Sequence, residues 1–81
     1  MKYLEILPKA AKQLASIPSK DRIAIISKLN RYATGMSLGL DVLPLKDRPG
    51  FRLRHGIWRA IFTEDNLLIS VIKIGHRKDI Y

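Results

Sequence analysis

The chain has 81 residues and no cysteine, which fits a single domain and excludes a disulfide scaffold, a thiolate metal site and a cysteine nucleophile. Two histidines, His55 and His76, are too few for most metal sites without carboxylate help, and no run of about 18 apolar residues could span a membrane. Fifteen Lys and Arg against seven Asp and Glu give a net charge of +8, which points to a polyanionic partner: nucleic acid first, then an acidic protein, then a membrane surface.

The opening Met1-Lys2-Tyr3-Leu4-Glu5 lacks the apolar core of a signal peptide, so the expected compartment is the cytoplasm. Tyr3 to Leu7 reads as a short strand. Pro8 suits the first turn of a helix, where its missing N–H costs nothing. Ala10, Leu14 and Ile17 recur at helical spacing, and Pro18 stops the run. Ser19 is placed to cap a second helix, with Asp21 in its first turn. Ile23, Ile26, Leu29 and Ala33 form its apolar stripe, widened by Ile25 and Tyr32, and Gly35 is a natural stop. The segment from Met36 to Gly50 reads as a connection carrying Gly39, Pro44, Lys46, Arg48 and Pro49. Three strands follow: Phe51 to Arg54, Ile57 to Thr63 and Leu67 to Ile74, joined by turns at His55-Gly56 and Glu64-Asp65-Asn66. The order β-α-α-β-β-β implies an α+β domain. A mostly antiparallel sheet is covered on one face by a helix hairpin, and its other face is left uncovered.

Strand alternation then sorts the charges. Successive side chains on a strand point to opposite faces. A two-residue His55-Gly56 loop would pair Arg54 with Ile57, Leu53 with Trp58 and Arg52 with Arg59. Phe51, Leu53, Trp58, Ala60 and Phe62 then share the core side, while Arg52, Arg54 and Arg59 share the uncovered side. Like charges directly opposed across a sheet cost about 0.2–1 kcal/mol, and no acidic residue lies between Gly50 and Phe62 to offset them. An anion held between the arginines would relieve the conflict. Phosphate suits, because a guanidinium binds it through two hydrogen bonds. Lys46, Arg48 and Arg77 flank this face.

The tail adds candidates for proton transfer. His76 and Tyr81 follow the third of these strands closely, and a histidine exchanges protons near neutral pH. The sequence yields no Ser-His-Asp set, no glycine-rich phosphate loop, no metal-ligand spacing and no cofactor motif. Asp79 is the carboxylate nearest the tail. These residues suit a cleavage in which RNA supplies its own nucleophile, the ribose 2′-hydroxyl. The protein then needs cations, a base and an acid. DNA lacks that hydroxyl.

Leu45-Lys46-Asp47-Arg48-Pro49-Gly50-Phe51-Arg52-Leu53-Arg54-His55-Gly56-Ile57-Trp58-Arg59-Ala60-Ile61-Phe62 resembles the central block of the RelE/ParE superfamily of toxins. There, a leucine-lysine loop leads into an aromatic-Arg-x-Arg strand, a glycine turn and an aromatic-Arg strand. Val71 to Tyr81 resembles the superfamily's closing pattern, Gly-His-Arg-x-x-apolar-Tyr after an apolar strand. Tyr3 to Leu14 also fits the opening pattern. Trp58 stands where tyrosine is commoner. The resemblance covers essentially the whole chain and implies a RelE-like fold in one domain. It implies the toxin of a type II toxin–antitoxin system, a ribosome-dependent endoribonuclease that cuts messenger RNA and inhibits translation without a metal or other cofactor. By the same resemblance Lys46, Arg52 and Arg54 hold RNA, with Arg48 beside them. Arg59 and Arg77 stabilise the transition state, and His76 and Tyr81 are acid/base candidates. The implied partners are a cognate antitoxin, the ribosome and messenger RNA, with operator DNA reached only through the antitoxin complex and no membrane. The alternative within the superfamily is a ParE-like inhibitor of DNA gyrase that lacks nuclease activity.

Overall fold

Residues 1–80 are described in the computed structural model of the chain. The elements are β1 (Tyr3–Ile6), α1 (Pro8–Ala15), α2 (Ser19–Ala33), β2 (Asp41–Pro44), β3 (Phe51–His55), β4 (Trp58–Glu64) and β5 (Leu68–His76). The sheet order is β1-β5-β4-β3-β2; β1 runs parallel to β5, and every other neighbour pair is antiparallel. This is an α+β fold, with both helices on one face of a mixed, mostly antiparallel sheet.

Alternation and helical spacing build the core. Ala10 and Leu14 of α1 and Ile25, Leu29 and Ala33 of α2 lie one turn apart, and they pack on Leu53, Ala60, Phe62, Ile69, Val71 and Ile74 of the sheet. Phe62 is fully buried and sits at 5.6 Å from the stacked Phe51 ring and 5.2 Å from the tilted Tyr32 ring. The α2 stripe is centred one position away from the expected one. Ile25 is 1 % exposed, whereas Ile23 is 65 % exposed. Ser19 is the first helical residue rather than the cap; Pro18 holds that place and makes no side-chain capping bond.

Three departures from the sequence reading bear on the site. First, Asp41–Pro44 forms an additional edge strand, β2, inside the expected connection. Proline at its end is compatible with an edge strand, where no ladder partner is missing. Second, the β3–β4 loop is Gly56-Ile57, so His55 pairs with Trp58, Arg54 with Arg59, Leu53 with Ala60 and Arg52 with Ile61. Gly56 takes φ +57° at the first loop position, and among the described residues no side-chain-bearing residue has positive φ. A type I′ loop at His55-Gly56 would force His55 into that region. The register slips by two, so every side chain keeps its expected face. Third, Ile61 pairs with Lys73 and Phe62 with Val71, leaving Ile72 as a bulge residue in β5. The bulge reverses alternation, which lets Ile69, Val71 and Ile74 all face the helices.

Beyond the end of β1, the edge of β5 needs another partner. Gln13 of α1 supplies it: its Oε1 accepts the Ile74 N–H at 2.8 Å. No helix among the described residues is long and apolar enough to cross a membrane.

Candidate nucleic-acid interface

Directly opposed residues in an antiparallel pair share a face. The pairs Asp41↔Arg54, Leu43↔Arg52, Arg54↔Arg59, Arg52↔Ile61, Ile61↔Lys73 and Arg59↔Gly75 therefore run across the face turned away from the helices. Arg52, Arg54 and Arg59 lie together there, and Lys73 of β5 joins them. Arg54, not Arg52, directly opposes Arg59. Two contacts ease that repulsion. Arg59 Nη1 folds back to donate to the Gly56 carbonyl at 2.7 Å and the Trp58 carbonyl at 3.0 Å. Asp41 lies 3.1 Å from Arg52 Nη1 and 3.7 Å from Arg54 Nη1. Among the described residues one carboxylate thus pairs with arginines on a face carrying three guanidiniums and Lys73.

The loop between β2 and β3 continues this face into a cleft of about 540 Å³, lined by Leu43, Pro44, Leu45, Lys46, Asp47, Arg48 and Arg52. Three of the expected substrate-binding residues, Lys46, Arg48 and Arg52, meet there. The loop is pinned at its base, where Leu45 N–H donates to the Gly50 carbonyl at 2.9 Å. Gly50 has φ +120°, and a Cβ there would lie 3.0 Å from the Phe62 carbonyl oxygen. Only glycine fits that combination without strain.

The other candidates sit at the opposite end of β3, about 14 Å away at about 3.4 Å per strand residue. Arg77 is exposed, and its N–H bonds the Ile57 carbonyl of the hairpin loop at 2.8 Å. His76 does not share the face of the arginines. β5 runs two residues beyond the expected end, so alternation carries His76 opposite Trp58, on the helix-bearing side. The two rings meet edge-on at a centroid distance of 6.0 Å. His76 Nδ1 accepts the Lys78 N–H at 3.1 Å. With Nδ1 as acceptor, the neutral ring carries its proton on Nε2, where it can be donated. Tyr81 lies outside the described residues.

The tail also covers part of the face that alternation left uncovered. Asp79 N–H returns to the His76 carbonyl at 2.8 Å. Ile80 is fully buried, with its Cδ1 3.4 Å from the position a Cβ on Gly75 would take. Ile61, 2 % exposed, is buried on the same side.

Sequence reasoning missed Asp41, Leu43, Lys73 and Ile80. An alternating Asp41-Val42-Leu43-Pro44 was the available signal for β2. No local signal marks the bulge that sets Lys73. His55 is a further correction: it is a strand residue, not a turn residue, and it bridges to α2. Its Nε2 faces Asp21 Oδ1 at 3.3 Å, and its Nδ1 faces Lys28 Nζ at 2.9 Å. Away from this region, Glu64 accepts from Lys2 and Tyr32, both at 2.6 Å. Burial, the hydrogen bond to Glu64 and the charge of Glu64 push the Tyr32 hydroxyl up to about 12. Burial works to raise the Glu64 carboxyl, but the hydrogen bonds from Lys2 and Tyr32 and the Lys2 charge outweigh it and hold the group below its ordinary value. Among the described residues no three His, Asp or Glu side chains converge as a metal-binding group.

The sequence matches no protein-family model. It matches no curated protein either. Solved structures do match. The RelB-RelE antitoxin-toxin complex of Methanococcus jannaschii contains a chain with a TM-score of 0.78 at 21 % identity, each chain covered over 91 % of its length. A chain of the archaeal RelE-RelB complex from Pyrococcus horikoshii gives 0.72 at 20 % identity, over 96 % of this chain and 97 % of that one. A chain of the RelBE2 toxin-antitoxin complex from Mycobacterium tuberculosis gives 0.71 at 19 % identity, over 94 % and 98 %. The chain has the RelE fold along nearly its whole length.

Proposed function

We propose that this chain is the toxin of a type II toxin–antitoxin pair and cleaves messenger RNA on the ribosome. The observation that carries the reading is the convergence of Arg52, Arg54 and Arg59 on the helix-free side of a RelE-type sheet, continuous with the cation-lined cleft. Phosphate contacts would position RNA along that face.

Chemically, the ribose 2′-oxygen attacks the adjacent phosphorus, and the P–O5′ bond breaks. The 2′-proton goes to a base, and an acid protonates the departing 5′-oxygen, leaving a 2′,3′-cyclic phosphate and a 5′-hydroxyl. Arg59 and Arg77 stabilise charge on the phosphoryl oxygens. His76, as the imidazolium, is the acid candidate, although its ring faces Trp58 on the helix-bearing side. Tyr81 is the remaining acid/base candidate. The residues in these roles ask for no metal. A cognate antitoxin, itself small and bearing acidic residues, would cover the basic face and give the complex its contact with operator DNA. The setting is cytoplasmic.

The test places the purified protein with messenger-programmed ribosomes and, separately, with gyrase and relaxed plasmid. The reading expects cuts in the messenger within the decoding site, lost when the attacking ribose is 2′-deoxy, and unimpaired supercoiling. Intact messenger with blocked supercoiling would replace this reading with gyrase inhibition.

A further inference from the structure

We infer that the cleft lined by the loop between β2 and β3 is a subsite for one unpaired nucleobase, with its adjoining phosphate on the cations of the lining. The inference rests on the RNA reading above and assigns a specificity element to it.

The cleft has two chemistries in one place. Its lining joins apolar Leu43, Pro44 and Leu45 to cationic Lys46, Arg48 and Arg52. Leu43 is 51 % exposed on an edge strand, directly opposite Arg52. An apolar side chain left uncovered amid cations does nothing for a purely electrostatic surface. It does suit a flat, weakly polar ring whose attached phosphate needs positive charge. Single-stranded RNA presents that combination, because its unstacked bases can be splayed into protein pockets. At about 540 Å³ the space is in the usual range for small-ligand sites. An aliphatic acidic peptide could meet the same apolar and cationic groups, and the experiment below sets it against the nucleotides.

Asp47 gives the subsite a direction of preference. It is the one acidic residue in the lining, and a carboxylate accepts hydrogen bonds from exocyclic amino groups. Adenine, guanine and cytosine carry such a group and uracil does not. The cleft therefore favours the first three.

The site is also held ready before any ligand arrives. The Leu45–Gly50 hydrogen bond closes the loop, and Gly50 lies against the Phe62 carbonyl. Little ordering remains to be done on binding.

The experiment titrates 15N-labelled protein with each ribonucleoside 5′-monophosphate and with ribose 5-phosphate, following the amides of residues 43, 45–48 and 52. The proposal expects adenosine, guanosine and cytidine monophosphates to bind at least fivefold tighter than ribose 5-phosphate, with the uridine nucleotide between. Leu43→Ser should bring the nucleotides down toward ribose 5-phosphate without changing the latter. Asp47→Asn should abolish the disadvantage of uridine. Equal affinity of nucleotides and ribose 5-phosphate overturns the proposal, as does a Glu/Leu peptide that occupies the cleft more tightly than any nucleotide. The cleavage assay stands apart from this one. Nucleotide selectivity without messenger cleavage removes the ribonuclease reading and leaves the cleft; cleavage without nucleotide selectivity does the reverse.

Discussion

Asp41→Asn separates the two demands placed on the basic face. The substitution keeps side-chain shape and the β2–β3 ladder but removes the carboxylate that lies 3.1 Å from Arg52 and 3.7 Å from Arg54. The side chains of Asp41 and Arg54 are 43 % and 51 % exposed, so the longer bridge is worth only a few tenths of about 1 kcal/mol. Arg52 is 18 % exposed, which puts the shorter bridge near the upper end of the usual 0.2–1 kcal/mol or so. The unrelieved Arg54–Arg59 opposition adds a few tenths more, for a total of about 1–1.5 kcal/mol. For a domain of this size that is a fall in Tm of about 4–12 °C. In about 1 M salt, where the Debye length is about 3 Å, most of the difference should vanish. RNA binding should move the other way, because phosphate no longer competes with Asp41. At low salt the affinity for a single-stranded RNA should rise severalfold. If one more phosphate is engaged, the slope of log K against log salt should steepen by about 0.7. Differential scanning fluorimetry and fluorescence anisotropy read the two effects. A folded Asp41→Asn variant that binds RNA threefold or more weakly would refute the reasoning. It would mean that Asp41 holds the guanidiniums in their gripping geometry rather than competing with the ligand.

Gly50→Ala should destabilise the fold by about 2–3 kcal/mol, from the positive φ and the Cβ 3.0 Å from the Phe62 carbonyl, and a urea melt with unchanged midpoint contradicts this. Gln13→Leu should cost about 1–3 kcal/mol, since it leaves the Ile74 N–H without its acceptor, and faster amide exchange at Ile74 is the specific sign. Stability should depend on pH through Glu64 and Tyr32. The depressed Glu64 carboxyl contributes above the ordinary glutamate range, and that contribution is lost as pH falls through it. The raised Tyr32 hydroxyl contributes fully below pH 10.0 and is lost between there and about 12. Glu64→Gln should flatten the acid limb and shorten the alkaline one, which burial of Tyr32 partly preserves, in urea melts run across pH; a variant with wild-type pH dependence rejects the linkage.

Local patterns carried the parts of the structure that depend on alternation and helical spacing. Arg52-Leu53-Arg54 and Trp58-Arg59-Ala60 each declare an inner and an outer side, so the arginine face could be read even with the loop misplaced by one residue. A register error of two preserves faces; an error of one would have put the arginines under the helices. Long-range terms were not legible. Asp41 neutralises Arg52 and Arg54 from a strand that looked like loop, because its four residues follow Gly39-Leu40 and end in a proline. The bulge at Ile72 arises from fitting Ile69, Val71 and Ile74 beneath the same helices, which no single segment specifies. His76 fell on the other side because β5 continues two residues further, held by its ladder to Trp58. Ile80 gave no sign of its burial, since its partner surface exists only once Gly75 and Ile61 share a face.

The central claim is that the guanidiniums of Arg59, on the helix-free side, and of Arg77, beside the hairpin loop, act directly on an RNA phosphodiester. Single-turnover cleavage of a messenger on programmed ribosomes, comparing the native protein with folded Arg59→Ala and Arg77→Ala variants, addresses it most directly. The account predicts that each variant still associates with the ribosome but cleaves about 10²–10³-fold more slowly. Native rates in both variants would contradict it.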